Sequence, residues 1–122
     1  MQISRRPDAL EKNMIVGLSG DLDLGAVARA RSAFHEVISD GWSTVIVDLS
    51  GVSFVDSAGL GILVGLQRRC REIGGAAVLV NLQAPVSRII EVSNLDAVLP
   101  VAEDMELAGE MTLSRAAGVI AK

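Results

Sequence analysis

Aromatic residues are nearly missing: two Phe, one Trp and no Tyr in 122 residues. Without them the chain lacks the platforms on which single-stranded nucleic acids stack. Its core has to be built from Val, Leu, Ile and Ala, which suits helices layered on a sheet. Cysteine is limited to Cys70, so no disulfide can form within the chain, and a reducing cytoplasm is the expected compartment. Long apolar runs are lacking too. The longest stretch without a polar side chain, residues 58–66, is far short of the roughly 20 residues a spanning helix needs. The opening MQISRRPDAL carries no apolar run of a signal peptide. A soluble, cytoplasmic protein without a membrane span is therefore expected. Positive charge is in deficit, with 11 Lys and Arg against 15 Asp and Glu and a net −4. That balance argues against a direct nucleic-acid partner, because phosphate binding needs a positive footprint.

What is present fits one globular domain spanning 1–122. Half of the residues are hydrophobic and 21% are charged, and the length suffices for a single core. A short strand is expected over 1–6, with Arg6-Pro7-Asp8 as a turn. Residues 13–19 (NMIVGLS) read as a second strand, ending in Gly20-Asp21-Leu22-Asp23. Asp23 is placed to start the next helix. That helix, 25–39, has Val27, Ala30, Ala33 or Phe34, Val37 and Ile38 at helical spacing. His35 falls among its polar positions and reads as a surface histidine. Residues 44–48 (TVIVD) form the clearest strand. Their unbroken Val-Ile-Val predicts burial on both faces. Residues 50–55 read as a loop whose Val52, Phe54 and Val55 pack inward.

A helix over 57–73 follows, stopped by Gly74-Gly75. The next strand is AAVLV at 76–80, then a turn, and a helix from Pro85 to about Ser93. A short edge strand is expected near Val101. A last helix over 104–117 has Met105, Leu107, Ala108, Met111 and Leu113 as its apolar positions. Alternating strands and helices predict an α/β fold with parallel neighbours in a mixed sheet.

The helix at 57–73 divides into unequal faces. Ile62, Leu63, Leu66, Cys70 and Ile73 gather on one side, with Gly59 permitting close approach to the sheet. Cys70 there acts as a small buried hydrophobe. The opposite side carries Ser57, Leu60, Gly61, Val64, Arg68 and Arg71. Its first half is too apolar for solvent alone. Either another element of the chain covers it, or another protein docks there with Ser57 at its edge. Ser57 reads as at or just inside the helix start with Asp56 as its cap, and on sequence preference alone the two are only capping residues. A helix N-terminus also favours a phosphate, since free amides and the helix dipole both suit its charge. Phosphorylation of Ser57 would add about −1.5 to −2 charges. The domain would tolerate that charge; a flat apolar partner surface would not.

Catalytic readings lack their parts. A nucleophilic serine needs a base within reach, and the one histidine lies on an unrelated helix face. The run from Gly59 to Gly65 superficially resembles a dinucleotide fingerprint, but its spacing is G-x-G-x-x-x-G and it lies ten residues beyond the strand end at Asp48. Asp21, Asp23 and Asp56 are a weak basis for a metal site. No metal and no cofactor are expected.

The run VIVDLSGVSFVDSAGLGILVGLQRR, followed by GG, AAVLVN and SRIIEVSNLDAVLPV, resembles the STAS domain. More narrowly it resembles the bacterial anti-sigma-factor antagonists, over nearly the whole chain from Val16 to Val101. The GDLD turn at 20–23 is similar to the family's first-loop signature, which usually carries Glu where this chain has Asp21. The resemblance implies a STAS fold, a four- to five-stranded mixed sheet with about four helices. It implies that Ser57 is phosphorylated by a partner anti-sigma factor serine kinase, which supplies the ATP and Mg²⁺. Unphosphorylated, such a chain binds that kinase and frees a sigma factor; a PP2C-type phosphatase restores it after modification. Asp21 and Asp23 would contact the partner or the hydroxyl. The expected partner surface is thus Asp21, Asp23, Asp56, Ser57, Leu60, Gly61, Val64 and Arg68, of which Leu60, Gly61 and Val64 would equally serve a homodimer. Two other roles are compatible with the resemblance: a STAS scaffold or sensor subunit of a signalling assembly, and a soluble STAS subunit associated with a membrane transporter.

Overall fold

The Val-Ile-Val run at 45–47 lies in the middle strand of a five-stranded sheet. In the computed structural model, which describes residues 1–116, the strands are β1 (Gln2–Pro7), β2 (Met14–Ser19), β3 (Thr44–Gly51), β4 (Ala76–Val80) and β5 (Val101–Ala102). The helices are α1 (Val27–Ser39), α2 (Ser57–Glu72), α3 (Ala84–Val92) and α4 (Met105–Ala116), with 3-10 turns at Leu24–Ala26 and Leu95–Ala97. The strands lie in the order β1-β2-β3-β4-β5. β1 runs antiparallel to β2, and the remaining neighbours are parallel. The expected mixed sheet with four helices is what the chain forms.

Period-two alternation assigns the strand side chains to two cores. Val16, Val45, Val47, Ala77 and Leu79 join a large cluster with residues of α1, α2 and α3. Ile15, Ile46, Val78 and Val80 join a smaller one with Ala108 of α4. Three helices therefore cover one face and a single helix covers part of the other. Coverage on both sides explains why β3 and β4 read as continuous apolar runs.

Several boundaries and burials differ from the sequence reading. β1 continues through Pro7, which an edge strand tolerates because the missing N–H leaves few ladder bonds unmade. β3 runs on to Gly51, which pairs with Ser19. Val52 and Val55 are buried, but Phe54 is 50% exposed. Ile73 is also 50% exposed, because the helix ends at Glu72 and Ile73 is its C-cap. Leu107 of α4 is partly exposed, whereas Thr112 is buried and donates to Asn13 Oδ1 at 2.7 Å. The side chain of Leu113, the helix end expected at 117 and the rest of 104–122 beyond Ala116 lie outside the described residues. Among the described residues no helix is long and apolar enough to cross a membrane.

α2 ends as its glycine pair requires. Gly74 adopts φ +86, its N–H donates to Arg71 O, and the N–H of Gly75 donates to Cys70 O at 2.8 Å. That is the double bond of a Schellman motif, and it needs a residue without Cβ at the left-handed position.

Candidate functional site

The site is made where the loop after β2 meets the loop after β3. Leu22 and Val55 form an isolated parallel bridge. Leu22 N–H donates to Phe54 O at 3.0 Å, and Asp56 N–H donates to Leu22 O at 3.3 Å. These backbone bonds bring residues 21–23 alongside 56–57, although more than thirty positions separate them in sequence.

Asp56 is the centre of this junction. Its backbone is extended, as an N-cap requires, and Oδ1 accepts the Gly59 N–H at 2.9 Å. Oδ2 accepts the Leu24 N–H at 3.0 Å. One carboxylate thus caps α2 and also fixes the 3-10 turn that opens α1. The Gly59 amide, followed by that of Leu24, holds the Asp56 carboxyl below its usual range. Asp23 has the parallel role one element earlier, with Oδ1 accepting the Ala26 N–H at 3.2 Å. Gly59 is constrained by sterics: a Cβ there would collide with the Leu22 carbonyl. The D-S-A-G run is therefore a cap, an outward residue, a small residue and an obligatory glycine.

Ser57 is the first residue of α2 and is exposed. Its neighbours on either side are engaged in holding the helix, while its own side chain faces solvent. Asp21 is exposed, and Asp21 and Asp23 line a shallow hollow with Met1 and Arg29. The three aspartates do not converge. Among the described residues no group of three His, Cys, Asp or Glu side chains could hold a metal ion. His35 is exposed on α1, where its Nδ1 accepts from Arg69 at 3.2 Å. Arg69 lies twelve residues beyond Ser57, about 18 Å along the helix at 1.5 Å per residue, so His35 is no base for Ser57.

The outer face of α2 is only partly as expected. Gly61 and Arg68 are exposed. Leu60, however, is 9% exposed and belongs to the large core with Val86 and Ile90 of α3. Val64 is half-buried and packs against the same core. Leu60 is thus not a surface residue: with α1 and α3 sharing the same sheet face, α2 has neighbours on its flanks as well as beneath it. Another element covers this part of the face, and the open part is shifted toward α1.

Two further exposed apolar side chains flank the site, Phe54 and Leu24, the latter 76% exposed. Sequence reasoning placed Phe54 inward and passed over Leu24. The available signal was position, because both lie beside the capping aspartates in loops. Gln67 was missed for another reason. It is buried in α2, and its Oε1 accepts the Ala77 N–H at 2.6 Å. β5 pairs only with Leu79 and Val80, so the Ala77 amide on that side of β4 lies beyond its reach and Gln67 supplies the acceptor.

A family model described as the STAS domain matches residues 2–108. The chain belongs to the STAS-domain family. An anti-sigma F factor antagonist of Lysinibacillus sphaericus is 27% identical over 110 residues, covering 89% of this STAS chain and 90% of that protein. An anti-sigma factor antagonist from Mycobacterium paratuberculosis has a structure similar at TM-score 0.77 and 23% identity, over 91% of this chain and 94% of that one. The Bacillus protein SpoIIAA is known in both forms, at 23% identity in each case. Unphosphorylated, it gives a TM-score of 0.71 over 98% of this chain and 99% of its own. Phosphorylated, it gives 0.68 over 90% and 99%. At such identities the structural likeness is one of fold.

Proposed function

We propose that this STAS chain, read as one domain over 1–122, is an anti-sigma-factor antagonist switched by phosphorylation of Ser57. In this reading the unphosphorylated form binds an anti-sigma factor serine kinase in the cytoplasm and thereby releases a sigma factor. The kinase transfers the γ-phosphoryl group of its ATP to Ser57 Oγ, the hydroxyl proton is lost, and ADP leaves. The modified chain dissociates, and a PP2C-type phosphatase hydrolyses the phosphoserine to restore it. The chain acts by binding, and the chemistry belongs to its partners.

One observation carries the reading. Ser57 is exposed at the first position of α2 while Asp56 and Gly59 on either side hold the helix in place. A phosphate can therefore be added without removing a cap or a packing contact. Asp21, Asp23 and the Asp56 side chain form the acidic border of the surface, and Ser57, Gly61 and Arg68 lie along its helix. Leu24 and Phe54 supply exposed apolar area, which a partner buries in the unmodified state. A dianionic group at Ser57 would have to lose water against that area, which disfavours the complex. The names of the relatives agree with this role.

The test is to titrate wild type, Ser57→Ala and Ser57→Asp against the anti-sigma serine kinases of the same genome, with intact-mass detection. Wild type should gain one phosphate with ATP and Ser57→Ala none. Ser57→Asp should bind its kinase at least about tenfold more weakly, as expected when a charge is buried without a partner. Absence of phosphate on wild type, with both variants binding every kinase as wild type does, would remove the assignment.

A further inference from the structure

The groove between α1 and α2 is a second feature of this face, separate from the Ser57 hydroxyl. It has a volume of about 530 Å³ and starts beside Ala58. One wall is Leu24, Val27, Arg31 and Phe34; the other is Ala58, Gly61, Gly65 and Arg68. The α2 wall follows the offsets 3, 4 and 3, and Val27, Arg31 and Phe34 of α1 the offsets 4 and 3, the spacing of a seam that receives a third helix, while Leu24 closes the end from the 3-10 turn. Ile62 and Leu66 also line the groove. A Cβ at Gly61 or at Gly65 would meet nothing within 4 Å, so the backbone of α2 is open to close approach at two positions about one turn apart.

The charge of the groove is opposite to that of the molecule. The chain is net negative at −4, yet the ionisable side chains lining this groove are Arg31, Arg68 and Arg69. Among the described residues the ion pairs are those of Arg5 with Glu36 and Asp40, so these three arginines have no carboxylate partner there. Arg69 donates to His35, which adds no negative charge. An apolar trough with free guanidinium groups on both walls fits an occupant that is apolar along one face and anionic along its flanks.

We propose that this groove seats an amphipathic helix of a partner protein, with aliphatic residues entering between α1 and α2 and Glu or Asp residues reaching Arg31, Arg68 and Arg69. A second copy of the chain does not fit this chemistry. The same groove on two chains would gather six arginines with no groove carboxylate between them. The groove shares Leu24, Gly61 and Arg68 with the surface proposed above for the kinase and so rests beside that reading, but it supplies attachment rather than the switch at Ser57.

The test uses the full chain and a fluorescent three-heptad peptide with Leu at the seam and Glu on the flanks, followed by anisotropy at near-physiological salt. Two control peptides replace Glu by Lys or scramble the order at constant composition. The acidic helix should bind, and both controls should bind at least about tenfold more weakly. Gly65→Leu fills the groove and should weaken binding about tenfold while leaving the melting temperature unchanged or raised, since glycine is a poor helix former. Arg31→Glu combined with Arg68→Glu should weaken it as much. Equal binding of the scrambled peptide would show simple charge attraction and overturn the proposal. Binding by Gly65→Leu equal to wild type would do the same. Sedimentation showing a wild-type dimer that Gly65→Leu dissolves would assign the groove to a second copy instead. No kinase enters the assay, so its failure is independent of a failure at Ser57.

Discussion

The first turn of α2 and its last two turns are held by different forces. The last two turns are held by burial. Leu66 and Cys70 are fully within the large core, and Gln67 is buried with its amide oxygen on a strand N–H. Burial pushes the Cys70 thiol up to about 11, despite the opposing pull of Arg69. It is therefore a packing residue and not a reactive thiol. The first turn reaches the core through Leu60 at its end and is otherwise held by hydrogen bonds and backbone contacts at the edge of the core: Asp56 to two amides, and Gly59 against the Leu22 carbonyl. Ser57 contributes to neither set. A helix anchored in this way can carry a chemical change at its first residue without transmitting it to the fold.

Substitutions at each end can break or sharpen that contrast. The largest effect is expected from Leu66→Ala, which opens a cavity in the core and should cost about 3–4 kcal/mol in urea unfolding. Gly59→Ala comes next, at about 2–3 kcal/mol, because a Cβ must displace the Leu22 carbonyl and with it the junction of the two loops. A neutral result there would show that the first turn is looser than its geometry states.

Acid should separate the two ends further. The folded-state carboxyl of Asp56 lies below its ordinary value of 3.8. Its ionised form is thus favoured by folding, and the stability it contributes is present above the ordinary value. That stability is lost as pH falls through about 4 and then through the lower folded value. Asp8 and Asp48 titrate in the same direction. At Asp8, burial works against hydrogen bonds from Asn13 and Lys12 that outweigh it; at Asp48, burial works against Ser50 and Asn81 in the same way. Asp56→Ala should therefore flatten, without abolishing, the fall in melting temperature between pH 6 and pH 3. The smallest effect is expected at Ser57. Ser57→Ala and Ser57→Asp should both stay within about 0.5 kcal/mol of wild type, as exposed substitutions do. The aspartate variant should be the more stable of the two, because a negative charge suits a helix N-terminus. A loss above 2 kcal/mol in either variant would mean that Ser57 is structural.

Much of this was legible before folding. Val45, Ile46 and Val47 signalled a strand buried on both sides, since only a sheet covered by helices buries such a run. Asp23 and Asp56 were readable as caps and Gly74 as a stop, because capping is decided within one turn. The cover over Leu60 was left open between two alternatives because a wheel separates near from far but does not know how many helices share a sheet face. Phe54 was misread because loop residues carry no period. Gln67 was invisible because its partner is an amide ten residues away, left open by the shortness of β5.

The sequence by itself determined the order and type of the elements, the cap at Asp56 and the outward placement of Ser57. Those follow from periodicity and from backbone groups that must be satisfied locally. Only the tertiary structure decided why Gly59 must be glycine, which part of the α2 face stays open, and that Arg31, Arg68 and Arg69 share one groove. Each of these depends on which distant segment lies alongside, and that is set by the packing of the sheet's two faces rather than by any stretch of the chain alone.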